Sequence, residues 1–324
     1  MAGDLERLLG EFVGLARRLE EAARRLGPLP TPPGAPPWLR PVFERLAGVA
    51  AGGRPRVAFL GPRGSFSHEA AARLFPSMVE VATHSISAAV SALVSGEADY
   101  AVVPYENSIE GPVGETLRAL AENAERVRVW LEYVHPVRLV LAAKGGGIRR
   151  VYGHPHALGE AREWLERRLP GVELVPVAST SVAAELAARE EGAAAVCSRL
   201  AAELHGLRVV AEGLSTRPNY TRFLVLHYRD NPETGVKTSI VASVRHEPGS
   251  LYRLLEPFAE RRVNLTMIYS YPAPGSPWRY YFFIDMEGSR LEDRVAEAIR
   301  EAGERAAWLR VLGSYPVVRG EGLA

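Results

Sequence analysis

From residue 56 onward, short apolar runs alternate with helical stretches, and this alternation limits the possible folds of the 324-residue chain more than any other feature. Val57-Ala58-Phe59-Leu60, Val79-Glu80-Val81-Ala82 and Tyr100-Ala101-Val102-Val103-Pro104 read as strands, with helices starting at Ser67 and Ser87 between them. A second run follows: Val151-Tyr152, a helix over Ala157 to Arg168, Val175-Pro176-Val177, a helix from Ser181, and Ala194-Ala195-Val196-Cys197. Strands of this length separated by helices bury both sheet faces only as layered α/β structure with a mainly parallel sheet. Two runs make two lobes, and two lobes imply a cleft between them.

The pattern changes after Asp230-Asn231-Pro232-Glu233-Thr234-Gly235, a polar, turn-rich hinge. Beyond it the order is strand (Thr238 to Val244), helix (Gly249 to Arg262), strand (Leu265 to Tyr271), strand (Arg279 to Met286), helix (Leu291 to Ala302) and strand (Ala307 to Leu312). This is βαββαβ, a ferredoxin-like α+β unit. At the other end, Leu5, Leu8, Leu9, Phe12, Leu15, Leu19 and Ala22 recur at helical spacing, which predicts an amphipathic helix over residues 4 to 26. Pro28, Pro30, Pro32, Pro33, Pro36 and Pro37 then form a stiff linker, and Trp38 to Val49 a second short helix. The chain thus divides into a helical extension and linker (1–54), a two-lobed region (55–230) and a ferredoxin-like domain (236–319).

Charge and cysteine usage exclude several functions. Lys and Arg number 39 against 38 Asp and Glu, so the formal net charge of +1 leaves no electrostatic footprint for nucleic acid. Cys197 is the single cysteine, which rules out an internal disulfide framework or a cysteine-based zinc site. No stretch of about 18 uncharged apolar residues occurs and the N-terminus lacks a signal-peptide core, so a soluble, cytoplasmic protein without membrane contact is expected. His154 and His156 form a His-x-His pair but lack an evident third ligand, and no metal is expected there. All basic residues except Lys144 and Lys237 are Arg, which says nothing about function.

Asn219-Tyr220-Thr221-Arg222-Phe223 carries the chemistry. It places an amide, a hydroxyl and a fixed positive charge at the start of the apolar run Phe223 to Leu226, after the turn residues Pro218 and Asn219. An Arg holds a carboxylate bidentately while staying charged, and a Thr hydroxyl donates to an oxygen that is becoming negative. The alternative is an Arg222 paired with a structural carboxylate and a Thr221 that satisfies a turn. Ser65-Phe66-Ser67, Asn107-Ser108 and Ser179-Thr180-Ser181 each sit where a loop enters a predicted helix, and there backbone N–H groups either hold an anion or are capped by the side chains themselves.

The pentapeptide resembles the Asn-x-Thr-Arg-Phe signature of prephenate dehydratases, and three other segments resemble that family in the same order: Gly61-Pro62-Arg63-Gly64-Ser65-Phe66-Ser67 with Ala70-Ala71, Val103-Pro104-Tyr105-Glu106-Asn107-Ser108 with Gly111, and Ser179-Thr180-Ser181-Val182-Ala183-Ala184. The resemblance covers about residues 56 to 228. It implies a two-lobed, periplasmic-binding-protein-like catalytic region, no cofactor, and conversion of prephenate to phenylpyruvate with loss of carbon dioxide and water. By resemblance Thr221 assists departure of the ring hydroxyl, and Arg222 orients a carboxylate or the Thr itself. Asn107, Ser179 and Thr180 bind and polarise, and Ser65, Ser67, Ser108, Asn219, Phe223 and His156 contact substrate. Glu106 lies beside Asn107 on an extended segment and faces the other way.

The chain also departs from the family. In Gly153-His154-Pro155-His156 the family usually has Ser and Gln where this chain has Gly153 and His156, so a titratable imidazole stands where an amide is usual. Ser215 or a neighbour replaces a usual Asp. The C-terminal unit resembles the ACT regulatory domain, in which Pro248-Gly249-Ser250-Leu251 forms the turn that binds an amino acid. Tyr269-Ser270-Tyr271-Pro272 stands where feedback-inhibited members carry Glu-Ser-Arg-Pro. The effector is then phenylalanine, another aromatic ligand or none, the last leaving the domain as a dimer interface; Trp278, Tyr280 and Tyr281 are candidate interface anchors. A homodimer or homotetramer is expected. The N-terminal segment is too short for the chorismate mutase domain many relatives carry, and it reads as a docking or oligomerisation helix. Arogenate dehydratase and a non-catalytic amino-acid sensor are the alternative functions.

Overall fold

The computed structural model describes residues 54–215, 217–273 and 278–320. The expected N-terminal helices and proline linker lie outside these residues. The chain divides into two compact units, residues 1–56 with Ser77–Val79 and the remainder. In the first, Arg54 Nε donates to the Ser77 carbonyl at 2.8 Å.

In the larger unit the chain passes from one lobe to the other and back. The first lobe begins with β1 (Arg56–Leu60), α1 (Phe66–Leu74), β2 (Val79–Thr83), α2 (Ile86–Val94), β3 (Tyr100–Asn107), β4 (Gly111–Pro112), α3 (Gly114–Glu122) and β5 (Arg128–Pro136). The second lobe follows as β6 (Val140–Ala143), β7 (Arg150–Gly153), α4 (Pro155–Arg168), β8 (Glu173–Pro176), α5 (Thr180–Arg189), β9 (Ala193–Cys197), α6 (Arg199–Leu204) and β10 (Arg208–Glu212). Strand β11 (Tyr220–His227) then returns to the first sheet, between β5 and β3. The lobes are therefore joined by two crossovers, 137–139 and 213–219, and each sheet is mixed: β1 pairs parallel with β3 and β7 parallel with β8 and β9, while the strands flanking the crossovers run antiparallel.

The second lobe is held by small side chains. Ala183, Ala184 and Ala187 on α5 and Ala193 and Ala195 on β9 are all buried in one cluster. Alanine at facing positions lets helix and sheet backbones approach closely without leaving voids.

The C-terminal domain has β12 (Lys237–Ser243), α7 (Ser250–Glu260), β13 (Leu265–Pro272), β14 (Tyr280–Glu287), α8 (Asp293–Arg305) and β15 (Trp308–Tyr315), in the sheet order β13-β14-β12-β15. This is the expected βαββαβ unit. Alternation along its central strands decides which way each residue faces. Ile240, Ala242, Ile284 and Met286 pack with α7 and α8, whereas Val241 and Phe283 join the core of the first catalytic lobe together with Met267, Leu312 and Tyr315. Gly313 makes this contact possible, because a Cβ there would stand 2.5 Å from the Val129 carbonyl oxygen. A last strand, β16 (Val317–Arg319), leaves the domain and pairs parallel with β5, an addition the sequence pattern did not suggest.

Candidate active site

The carboxyl ends of β1 and β3 lie on one edge of the first sheet, and β11 and β5 bring Thr221 and His135 to the same edge through antiparallel pairing. The carboxyl ends of β7, β8 and β9 lead into His154, Ser179 and Ser198, each the residue just before a helix. Crevices outside carboxyl strand ends are where open α/β sheets bind ligands.

Thr221 pairs directly with Asn107 on one side and His135 on the other, so the three form a row on one sheet face. Asn107 Nδ2 is shared among Thr221 Oγ1 at 3.0 Å, Asn219 Oδ1 at 2.7 Å and the Tyr220 carbonyl at 3.2 Å. Asn107 Oδ1 accepts from the Ile109 and Glu110 amides, which makes the side chain a local staple. Asn219 Nδ2 donates to Glu160 Oε1 at 2.7 Å. The chain Glu160, Asn219, Asn107, Thr221 therefore runs from a helix of the second lobe to the strand hydroxyl of the first. Thr221 and Asn219 are 7% and 8% exposed, so little of the row is open to solvent.

Two members of this surroundings were not anticipated from sequence. Glu160 Oε2 is buried without a partner in hydrogen-bond geometry. Burial raises the pKa of its carboxyl, against the opposing effect of the Asn219 amide and the Ser215 hydroxyl. Its signal in the sequence was only the helical offset of four residues from His156. His135 is fully buried, its Nε2 has no partner, and Glu69 Oε2 stands 3.9 Å away. Burial first, then the charges of Arg73 and Arg138, bring its pKa to about 4, so the imidazole is neutral near pH 7.

The remaining expected residues divide by location. Ser65 caps α1, accepting from the His68 amide at 3.2 Å and donating to the Leu60 carbonyl at 2.8 Å, and Ser67 is buried on that helix. Ser179 caps α5 by accepting from the Val182 amide, which leaves Thr180 at the first helical position. Ser181 and Ser198 hydroxyls donate to the Arg63 and Gly64 carbonyls, so the β1–α1 loop of one lobe meets helix starts of the other. Ser108 Oγ accepts from the Tyr220 amide, and Phe223 is buried in edge contact with the His135 ring.

His156 is not in the row. Its side chain is 62% exposed and pairs with Glu110 at 2.5 Å, while its ring stacks on His154. Gly153 has a steric reason, since a Cβ there would lie 2.7 Å from Leu158 Cδ2. Among the described residues no group of three His, Cys, Asp or Glu is arranged to hold a metal, and no helix is long and apolar enough to cross a membrane.

Arg222, next to Thr221 in sequence, faces the opposite side of the strand. Its Nη1 donates to Glu106 Oε2 at 2.7 Å and its Nη2 to Glu132 Oε2 at 2.7 Å and to Asp285 Oδ2 of the C-terminal domain. It also lies over the Tyr105 ring at 5.1 Å. Burial opposes its charge, but Asp285 and Glu132 outweigh burial, and the guanidinium stays protonated. The sequence offered a substrate carboxylate or a structural one as its partner, and in this structure it has three structural carboxylates.

Residues 57–231 match the prephenate dehydratase family profile, which is more than half of the chain. The chain belongs to the prephenate dehydratase family. Residues 238–304 match the ACT domain. A bifunctional chorismate mutase/prephenate dehydratase of Aquifex aeolicus is 42% identical over 267 residues, covering 81% of this chain and 73% of the relative. A prephenate dehydratase of Amycolatopsis methanolica is 38% identical, covering 83% and 90%. The crystal structure of an Arthrobacter aurescens prephenate dehydratase in complex with L-Phe superposes with a TM-score of 0.74 at 33% identity, covering 81% of this chain and 90% of that one. Set in this prephenate dehydratase fold, the turn Pro248-Gly249-Ser250-Leu251 opens α7, with Gly249 at φ 79° as its N-cap. Tyr269 and Ser270 are exposed on the edge strand β13, and Tyr271 packs against the core of the first catalytic lobe.

Proposed function

We propose that this enzyme converts prephenate to phenylpyruvate, carbon dioxide and water at the Asn107–Thr221–His135 row. The carrying observation is the Asn107–Thr221 hydrogen bond at the carboxyl strand ends between two lobes. Prephenate has two carboxylates and a ring hydroxyl. One carboxylate leaves as carbon dioxide, its bonding electrons pass into the ring, and the hydroxyl departs as water after taking up one proton. Aromatisation drives the reaction, so the protein has to orient the dianion, support the leaving hydroxyl and exclude water.

Thr221 Oγ1 accepts from Asn107, which leaves its own O–H to be donated elsewhere, and the ring hydroxyl is the acceptor we assign to it. The helix starts at Thr180 and Phe66 supply N–H groups for the carboxylates. Glu160, with its raised pKa, is an acid close to the row. His135 is neutral and donates or accepts at Nε2 without adding charge.

In the ACT domain, the turn at Pro248 to Leu251 with Tyr269 and Ser270 is the effector site, and phenylalanine is the effector to test first. The exposed edge of β13, with Ile268 and Tyr269 outward, is the surface for pairing with a second copy. The deciding experiment follows phenylpyruvate formation from prephenate, with arogenate in parallel and phenylalanine present or absent. Prephenate turnover suppressed by phenylalanine supports both sites, and turnover without suppression reassigns the ACT site to another ligand or to assembly. Preference for arogenate would move the substrate assignment, and no turnover of either would favour the sensor.

A further inference from the structure

The strand that pairs with Thr221 through Asn107 is irregular next to that rung. Opposite β3, the register runs Thr221 to Asn107 and Arg222 to Glu106, then skips so that Phe223 faces Pro104. A bulge interrupts the ladder hydrogen bonds and re-aims the side chains beside it. The extra residue is Tyr105 on β3, while β11 keeps a regular register with β5 from Tyr220 to Val225. The backbone that side-chain contacts must hold is therefore that of β3 beside Asn107: Glu106 binds Arg222, and Tyr105 lies against the Arg222 guanidinium and donates to Asp285.

The Arg222 guanidinium is divided among three carboxylates and is not paired bidentately with one. Two of them, Glu106 and Glu132, come from the catalytic lobe, and the third, Asp285, comes from the central ACT strand β14. Asp285 is fully buried, and its second oxygen is fixed by Tyr105 Oη at 3.2 Å and Ser239 Oγ at 2.5 Å. Lys237, one of only two lysines in the chain, holds both oxygens of Glu132 from the other side at 2.9 and 3.1 Å. The cluster is thus completed by two charges from the ACT domain, directly behind the Asn107–Thr221 rung.

We propose that Asp285 of the ACT domain is a positioning residue for catalysis: by anchoring Arg222 and Tyr105 at the β3 bulge it fixes Asn107 against the Thr221 hydroxyl. The inference rests on the assignment of Thr221 to the reaction. It makes the ACT domain a structural part of the active site, independently of whether any effector binds. Alternation on β14 sends Asp285 toward the catalytic lobe, while its neighbours Ile284 and Met286 face the ACT helices.

Asp285→Asn in the full chain tests this, since it keeps shape and removes charge. With a melting profile showing a folded protein, kcat should fall at least tenfold while KM for prephenate stays within twofold, because displacement of a reacting group by about 1 Å costs up to on the order of a hundredfold. Arg222→Lys should fall similarly, and the double variant should be no worse than the poorer single one. A folded Asp285→Asn with unchanged kcat, or losses that multiply in the double variant, would overturn the proposal. If Asp285→Asn does not fold, Ser239→Ala decides: it removes one of the two donors to Asp285 Oδ1 and should lower kcat severalfold at constant KM, and an unchanged kcat refutes the role. Thr221→Val run alongside separates the two ideas. Full activity in that variant removes the site assignment itself, whereas loss there with an active Asp285→Asn removes only the positioning role.

Discussion

The role proposed for Thr221 rests on the asymmetry of its environment. The Asn107 amide occupies one lone pair, so the hydroxyl proton points away from Asn107. Thr221→Val keeps the volume and removes the donor, so kcat should fall on the order of a hundredfold or more, with a stability loss of only about 1 kcal/mol because Asn107 keeps its bond to Asn219. Steady-state kinetics and a thermal melt on the same sample check both halves. Glu160 makes a second prediction. Burial favours its neutral form, so it retains its proton above the ordinary glutamate value of 4.5. In the role proposed for it, the ionised carboxylate would repel a dianionic substrate and could no longer donate a proton. Activity should therefore decline as pH rises through the raised pKa, and Glu160→Gln, neutral at every pH, should abolish that limb. A limb of unchanged position in the Gln variant would remove Glu160 from this role.

Elements decide which residues can act together. On β11, adjacent residues face opposite sides, so Thr221 joins the cleft row and Arg222 the buried cluster. Alternation turns Glu106 away from Asn107 and Arg222 away from Thr221, and Glu106 and Arg222 meet on the far face. Strand β5 was missed in the sequence because Glu132 and His135 interrupt its apolar pattern. Those interruptions are a buried carboxylate on Arg222 and the cross-strand neighbour of Thr221. Ser179 shows how a cap and a ligand group can be told apart. Ser179→Ala should cost about 1 kcal/mol, whereas Ser179→Gly, an acceptable N-cap, should cost only a few tenths. If the hydroxyl also touches substrate, both variants raise KM alike despite their different melting temperatures.

At the largest scale, an ion cluster joins the first catalytic lobe to the ACT domain. Burial alone would raise the Glu132 pKa, but hydrogen bonding to Arg222 and the charges of Arg222 and Lys237 outweigh it and hold the carboxyl below 4.5. A carboxyl with a lowered folded pKa stabilises the protein above its unfolded value, and that stabilisation disappears as pH falls through the folded one. Melting temperature should therefore drop as pH is taken below about 4.5, and Glu132→Gln should flatten this slope. The variant should also be less stable at pH 7, by roughly 3–5 kcal/mol, because Arg222 and Lys237 lose a buried partner. A slope equally steep in the variant would place the acid sensitivity elsewhere. Sequence by itself determined the two α/β lobes, the ferredoxin-like third unit and the motif that carries Thr221, because hydrophobic period and turn residues are local properties. Tertiary structure alone decided that His156 stays outside while Glu160 reaches Asn219, that Arg222 binds carboxylates of two domains, and that Val317–Arg319 returns to the catalytic sheet. Each of these depends on which face a side chain presents to a partner distant in sequence, and hydrophobic period does not encode that pairing.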